Sequence, residues 1–147
     1  MSKDWKEKSR PEDLQRLRGF RLMDDDFMSK CFEENIECTE LVLQIVLGRD
    51  DLKVEKVAIQ HQLKNLQGRS VIFDIYATDH AGKRYNVEIQ RADRGAGAKR
   101  ARYHSSLIDA NVTEPGEKLE NLVETYVIFI TERDVLGKGK PIYHIDR

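Results

Sequence analysis

The sequence predicts an α/β sandwich in which a mixed central sheet lies between helices, and three stretches of the chain carry that prediction. Residues 24–47 repeat apolar side chains at helical spacing, and residues 70–91 contain two alternating segments around a tight turn. Residues 124–131 form an apolar run rich in β-branched and aromatic side chains. With a further strand before the hairpin and a further helix after it, the predicted order is α–β–β–β–α–β.

The remaining elements follow from local signals. The first helix has an acidic start, as the helix dipole favours, and Gly48 ends it. The run 124–131 is continuous rather than alternating, which is typical of a strand buried on both faces. The other predicted elements are a strand over 52–60, a polar connection through Asn65 and Gly68, helices over 98–110 and 115–122, a loop over 136–140 and a strand over 141–145.

The chain has 147 residues, enough for one domain with a buried core, and we divide it into a polar arm (1–20) and a domain (21–147). Its 25 Lys and Arg residues nearly cancel its 26 Asp and Glu residues, so net charge does not indicate a polyanionic partner. No apolar run approaches the ~18 residues of a membrane span, and the N-terminus lacks the apolar core of a signal peptide. We therefore expect a cytoplasmic protein without a membrane partner, in which Cys31 and Cys38 are buried and reduced.

The two alternating segments predict a β-hairpin that carries two facing carboxylates. The first arm places Asp74 on one face and four apolar residues on the other: Val71, Phe73, Ile75 and Ala77. The second arm places Glu88 on the same face as Asn86 and Gln90. A three-residue loop with Gly82 in the left-handed conformation fits the turn, and that register sets Asp74 opposite Glu88 with Cβ atoms roughly 4.5–5.5 Å apart. Because facing like charges destabilise a sheet, the simplest compensation is a divalent cation.

Four blocks of the sequence together resemble the PD-(D/E)XK nuclease family transposases of bacteria, a group of recombination-promoting nucleases. The blocks are MDDDFMSKCFEENIECTELVL (23–43), FDIYATDHAGKRYNVEIQR (73–91), GAGAKRARYHSSLID (95–109) and ETYVIFITERDVLGKGKPIYHIDR (124–147). The resemblance implies a restriction-endonuclease-like αβββαβ core and hydrolysis of DNA phosphodiester bonds with Mg²⁺ or Mn²⁺. Proteins of this family usually continue well beyond this length, which leaves open a C-terminally truncated copy.

The resemblance also implies that Asp74, Glu88 and Gln90 are the catalytic residues. Asp74 and Glu88 would hold the metal ion together with the backbone carbonyl of Ile89, because Mg²⁺ prefers oxygen ligands and usually keeps several waters. Gln90 occupies the place of the motif lysine, a substitution that this group often carries. Its amide can hydrogen-bond a water or a phosphate oxygen but brings no charge, so we expect weaker electrostatic assistance than a lysine would give.

A further metal ligand could come from the first helix. If residues 24–47 form one unbroken helix, Glu34 lies in the middle of an apolar stripe, where an acid is unfavourable unless it is paired or metal-bound. Acidic residues from the first helix often join the metal site in this fold, which makes Glu34 the candidate. The alternative is a helix break in which Asn35 caps a second helix, and Glu37 would then be an equal candidate.

Basic residues cluster immediately after the second hairpin arm, around the start of the 98–110 helix. Flexible glycines, a helix N-terminus and cationic side chains all favour contact with phosphate groups. The predicted DNA-contacting residues are Arg91, Arg94, Lys99, Arg100, Arg102 and Tyr103, with His104 as a further residue for stacking on or hydrogen-bonding a nucleotide. The segment GAGAK lacks P-loop spacing, and the histidines and cysteines lack zinc-ligand spacing, so we expect neither nucleotide hydrolysis nor a zinc site.

These observations favour a metal-dependent DNA endonuclease-like domain. One alternative is a catalytically weak or inactive relative that binds DNA, as Gln90 and the early end of the chain suggest. A second alternative, from a different class, is an α/β interaction module whose hairpin face is merely polar. The apolar segment 126–130 could also leave a sheet edge that pairs with a second copy in a homodimer.

Overall fold

The computed structural model describes residues 25–33, 35–90 and 96–146, which form a four-stranded mixed sheet between helices. The elements are α1 (Asp25–Phe32), α2 (Ile36–Leu47), β1 (Val54–Lys64), β2 (Ser70–Asp79), β3 (Arg84–Gln90), α3 (Ala98–Val112), a 3-10 turn (Leu119–Asn121) and β4 (Thr125–Thr131). The strand order is β1-β2-β3-β4; the first three strands are antiparallel, and β4 runs parallel to β3.

The predicted α/β architecture, with a mixed sheet flanked by helices, is confirmed by this arrangement. The predicted polar arm, 1–20, lies outside the described residues. Within the described part of the chain, no helix is long and apolar enough to span a membrane.

The N-terminal helical region consists of two helices rather than one. Asn35 caps α2, because its side-chain oxygen accepts a hydrogen bond from the Cys38 backbone N–H at 3.0 Å. At the other end, Gly48 takes a left-handed φ of 63°, and the Arg49 N–H reaches the Gln44 carbonyl at 3.0 Å. The prediction of one helix over 24–47 is therefore wrong, and its alternative, a break capped by Asn35, is confirmed.

The two faces of the sheet carry different helices. On one face, Phe32 of α1 belongs to an apolar cluster, together with Val87 of β3, that we call the α2-side cluster because α2 also contributes to it. On the other face, Leu107 of α3 packs with Phe73 of β2 in a second cluster, the α3-side cluster. The central strand β3 is covered on both faces, and its consecutive residues 85–88 are all buried.

Side-chain alternation is interrupted in the middle of β2. Ile75 and Ala77 belong to the α2-side cluster, whereas Val71 and Phe73 pack in or against the α3-side cluster. In a regular strand these four residues, spaced by two, would point to one face. The prediction that these four residues share a face is therefore wrong, because the side chains before and after Asp74 lie on opposite faces of the sheet.

The hairpin turn matches its prediction. The Asp79 N–H donates to the Lys83 carbonyl at 3.1 Å, and Gly82 has a φ of 82°. Further along the two arms, Ile75 pairs with Val87. The predicted register is confirmed up to this pair, where the ladder between β2 and β3 ends.

Three elements near the end of the chain differ from their predictions. In place of a helix over 115–122 there is a 3-10 turn, which follows a tight turn with Gly116 at a φ of 82°. Residues 141–145 form no strand, and Tyr143 instead donates its hydroxyl to the Asp134 carboxylate at 2.8 Å. The residues of β4 are all half-buried rather than buried on both faces, because β4 is an outer strand of the described sheet.

Candidate active site

Asp74 of β2 and Glu88 of β3, hereafter the carboxylate pair, lie next to each other where the ladder between the two strands ends. The Asp74 backbone N–H donates to Glu88 Oε2 at 3.1 Å, and the Ile89 backbone N–H donates to Asp74 Oδ2 at 2.9 Å. Each carboxylate is thus held by a backbone N–H of the opposite strand. The hairpin brings the two predicted acids together through these crossed hydrogen bonds rather than as a regular strand pair.

Glu88 is buried, with 1% of its surface exposed, and among the described residues its Oε1 has no hydrogen-bond partner. Burial raises the pKa of Glu88 to about 8, and hydrogen bonding to and repulsion from Asp74 act in the same direction. The Asp74 backbone N–H and the positive charge of Arg100 oppose this rise in pKa. The carboxyl group of Glu88 therefore holds a proton readily near neutral pH, and a cation can take the place of that proton.

Next to Glu88 lies a second buried polar side chain, His104 of α3, which is 2% exposed. Its Nδ1 lies 2.9 Å from Asn86 Oδ1 and 3.3 Å from Glu88 Oε1. The Asn86 amide nitrogen faces the Ile75 carbonyl, which makes Oδ1 the acceptor and assigns the proton to His104 Nδ1. Burial lowers the pKa of His104 to about 4, so the ring is neutral at pH 7 and its contact with Glu88 is not an ion pair.

The ring of His104 packs inside the fold rather than on the surface. Its centroid lies 4.8 Å from that of Phe73 and 6.3 Å from that of Phe129. The prediction that His104 contacts a nucleotide is wrong for this reason. Helical spacing from Leu107 and Ile108, which are buried on the same face of α3, is the sequence signal that could have identified it as an interior residue.

Gln90 and Ile89 border the carboxylate pair at the end of β3. Gln90 is half-buried, pairs with Thr131 of β4 and lies on the same face of its strand as Glu88, two residues earlier. The Ile89 N–H is committed to Asp74, which brings the Ile89 backbone against the pair. Both residues therefore lie beside the carboxylate pair, and the roles that the resemblance gives them stay predictions.

Three of the predicted phosphate-contacting residues lie at the start of α3. Lys99, Arg100 and Arg102 are exposed there. Arg100 is close enough to the site for its charge to lower the pKa of both Glu88 and His104. Positive charge therefore adjoins the carboxylate pair even though Gln90 is neutral.

Tyr103 is half-buried and its side chain contacts other residues of the fold. Its hydroxyl accepts a hydrogen bond from the Asn65 side-chain amide at 3.0 Å, and the Arg69 guanidinium lies 5.8 Å from the centre of its ring. Its contact with DNA stays a prediction. The other predicted site residues lie outside the described ranges: Glu34, Arg91 and Arg94.

A comparison with protein-family models matches residues 28–146 to the PD-(D/E)XK nuclease family transposases. The chain belongs to this family. The match includes the complete described sheet and therefore the carboxylate pair. No curated protein and no solved structure gives a significant match.

The donor chemistry of the pair fits a hard divalent cation of the kind that PD-(D/E)XK nucleases typically use. Glu88 Oε1 is buried and has no hydrogen bond from the described part of the chain, and a cation would supply a partner for it. Within the described ranges, no cluster of three or more His, Cys, Asp or Glu side chains forms a metal site. A divalent cation at the pair would have two side-chain carboxylates as ligands, and oxygen ligands of this kind suit hard divalent cations.

Proposed function

We propose that this member of the PD-(D/E)XK family is a metal-dependent nuclease that hydrolyses DNA phosphodiester bonds at the carboxylate pair. The observation that carries the proposal is the crossed hydrogen bonding of Asp74 and Glu88, in which Glu88 Oε1 is buried and accepts no hydrogen bond from the described residues. A buried carboxylate oxygen in that state needs either a proton or a cation. Hydrolysis of a phosphodiester is the reaction for which this family arrangement provides a cation site.

Each residue of the site has a distinct role in this proposal. Asp74 and Glu88 hold Mg²⁺ or Mn²⁺, with the backbone carbonyl of Ile89 as a third protein ligand. A bound ion would supply two kinds of chemistry: it would lower the pKa of a water molecule and neutralise charge on the phosphoryl oxygens. Gln90 orients that water through its amide, and neutral His104 fills the space beside Glu88 without competing for its charge.

The DNA backbone would run past the start of α3. The charge contributed there is independent of base sequence, because it acts on phosphates. Gly97, the N-cap residue before α3, makes no side-chain cap, so the backbone N–H groups of the first turn add to the affinity for an anion. The proposed phosphate contacts are Arg91, Arg94, Lys99, Arg100 and Arg102.

A second candidate function is DNA binding without cleavage, and the neutral amide of Gln90 favours it. A lysine at this position would stabilise negative charge in the transition state, whereas glutamine can only hydrogen-bond. Both candidates use the same basic residues of α3, so binding alone does not separate them. Cleavage that depends on metal and on the carboxylate pair does.

The test is nicking of supercoiled plasmid by the purified full chain with Mg²⁺ or Mn²⁺. Asp74→Asn and Glu88→Gln remove the two charges while keeping the side-chain shapes. Glu55→Gln is the matched control, because Glu55 is an exposed acid on β1 outside the pair. We expect metal-dependent nicking by the wild type and by the control, and its loss in both variants of the pair.

Two results would overturn the nuclease proposal. Equal nicking by the wild type and Asp74→Asn would place the activity elsewhere, for example in a contaminant. Folded wild-type protein that binds duplex DNA with a strong salt dependence but never nicks it would establish the second candidate. A homodimer, a cytoplasmic location and a role in recombination stay predictions that this assay does not address.

A further inference from the structure

Gln60, in the middle of β1, has a left-handed backbone with a φ of 52°. Among the described residues it is the one non-glycine residue with a positive φ. Such a conformation is uncommon for a residue with a side chain, and it persists only where the surrounding structure imposes it. The Gln60 side chain is exposed, so core packing of its amide group does not account for the conformation.

The place of Gln60 in the sheet makes Asp74 its counterpart on β2. Gln60 lies between the strand pairs Ile59–Ile75 and His61–Phe73, and neither Gln60 nor Asp74 is itself part of the paired register. The sheet is therefore interrupted at one level across both strands, and we call this level the alternation break. It contains one residue of the carboxylate pair.

In both strands the side chains change from one face of the sheet to the other at the alternation break. In β1, Ile59 packs against the α2-side cluster, whereas Leu63, four residues later, belongs to the α3-side cluster. In β2, Phe73 belongs to the α3-side cluster and Ile75 to the α2-side cluster, as described above. A residue in the left-handed conformation breaks the strict alternation of the side chains that follow it. The backbone of Gln60 therefore accounts for the change of face in β1, and for the matching change in the strand paired with it, β2.

The alternation break also has a consequence for the chemistry of Asp74. Its backbone N–H donates to the side chain of Glu88, and its carboxylate accepts from the Ile89 N–H. Both groups are therefore directed to β3 at the point where the ladder between β2 and β3 has ended. An uninterrupted β2 would continue backbone pairing through Asp74 and leave its carboxylate without this crossed contact.

We propose that Gln60 is a positioning residue for the carboxylate pair: its left-handed backbone interrupts the sheet opposite Asp74 and so permits the crossed hydrogen bonds to Glu88 and Ile89. The proposal rests on the proposed function for its metal-binding consequence, but its structural part concerns the apo protein. It implies that tolerance of a positive φ at position 60, rather than the glutamine side chain, determines the geometry of the site.

The experiment compares three substitutions at position 60 in the full chain. Gln60→Gly and Gln60→Asn accept a positive φ, whereas β-branched Gln60→Val strongly favours the extended conformation. The matched control is Gln62→Val, the same change at an exposed residue of β1 that is regularly paired with Ile72. Two quantities are measured: hydrogen exchange of the Asp74 and Ile89 amides in the apo protein by NMR, and the Kd for Mn²⁺ by calorimetry.

We expect Gln60→Gly and Gln60→Asn to retain both wild-type values. Gln60→Val should weaken Mn²⁺ binding by about 10- to 100-fold, the range typical for loss of groups that orient a metal ligand, and should speed exchange of the two amides. Gln62→Val should do neither, although it makes the same change of side chain. A purely structural role for Gln60 would alter overall stability without this selective change in metal affinity.

Wild-type Mn²⁺ affinity and amide exchange in folded Gln60→Val would overturn the proposal, and so would an equal loss in Gln60→Gly. If Gln60→Val does not fold, Gln60→Ala against Gln60→Gly gives the same comparison, because alanine is strained at a positive φ and glycine is not. If the wild type binds no Mn²⁺, the proposed function fails, and amide exchange in the apo variants alone decides whether Gln60 positions Asp74.

Discussion

Replacing Glu88 by glutamine should stabilise the metal-free protein at neutral pH, although it destroys the proposed site. The folded pKa of Glu88 is raised to about 8 from the ordinary value of 4.5. For a raised pKa, the stabilising contribution is complete below the unfolded pKa and is lost as the pH rises through the folded pKa. The metal-free wild type should therefore lose stability between about pH 4.5 and pH 8, whereas an amide at position 88 does not titrate.

The magnitude follows from this pKa difference. Because pH 7 lies about 2.5 above the ordinary pKa and each step of one is worth about 1.4 kcal/mol, the ionisable carboxyl group costs the wild type on the order of 3 kcal/mol relative to a group that does not titrate. The glutamine oxygen can still accept from the Asp74 N–H, but its NH₂ group meets the protonated Nδ1 of His104. Since that contact brings two donors together, we expect a net gain of about 1–3 kcal/mol in the free energy of unfolding at pH 7.

Urea unfolding in the presence of a chelator measures this gain at pH 5 and pH 7. We expect Glu88→Gln to exceed the wild type at pH 7 and to differ much less at pH 5. Added Mg²⁺ or Mn²⁺ should stabilise the wild type, because an ion that binds the native state shifts unfolding, and should leave the variant unchanged. A Glu88→Gln variant less stable than the wild type at pH 7, or a stability difference equal at both pH values, would contradict a raised pKa of Glu88.

Three further predictions concern the fold around the site. Asn35→Ala removes the side-chain acceptor of the Cys38 N–H and should lower the free energy of unfolding by about 1 kcal/mol in urea titrations; no loss would mean that the cap is dispensable. Tyr85→Phe removes the hydroxyl that donates to buried Asp79 at 2.7 Å and should lower the free energy of unfolding by about 1–3 kcal/mol. Wild-type stability in this variant would contradict a buried charge-assisted hydrogen bond. Because the pKa of His104 is lowered to about 4, its contribution to stability should be complete above about pH 6.5 and lost as the pH falls through about 4. In unfolding curves measured over a pH series, His104→Phe should reduce this loss of stability at acid pH. An unchanged loss in the variant would assign it to other groups.

The hairpin could be predicted from sequence because its information is local. Alternating side chains specify the strands, and Gly82 accepts the positive φ that the loop requires, so the register up to Ile75 and Val87 follows by counting. From that register, the approach of Asp74 and Glu88 also follows. The proximity of the two acids is therefore predictable from the sequence, and the structure shows them joined by hydrogen bonds.

The alternation break could not be predicted, because no residue type marks it. A glycine at position 60 would indicate a bulge, whereas glutamine is compatible with an ordinary strand, and the sequence pattern predicts that the strand ends there. The burial of His104 was missed for a different reason. Its neighbours Arg100 and Arg102 are exposed, so the charged start of α3 concealed the helical spacing that turns His104 inward.

Two unfavourable features of the metal-free fold involve the carboxylate pair or the residue opposite it. Among the described residues two buried side-chain polar atoms lack a hydrogen bond, Glu88 Oε1 and Arg84 Nε, and Arg84 still has a bond from its Nη1 to Thr78. The Oε1 atom of Glu88 is thus one unfavourable feature, and the strained backbone of Gln60, which lies opposite Asp74, is the other. A cation at the pair would give Glu88 Oε1 a partner, and the strain at Gln60 would then serve to position a metal ligand. It would not replace the positive charge that a lysine would bring at position 90. Metal-induced stabilisation is therefore a more direct test of this site than the rate of cleavage. A slow enzyme and an inactive DNA-binding relative differ in cleavage rate, but both can be stabilised by the metal.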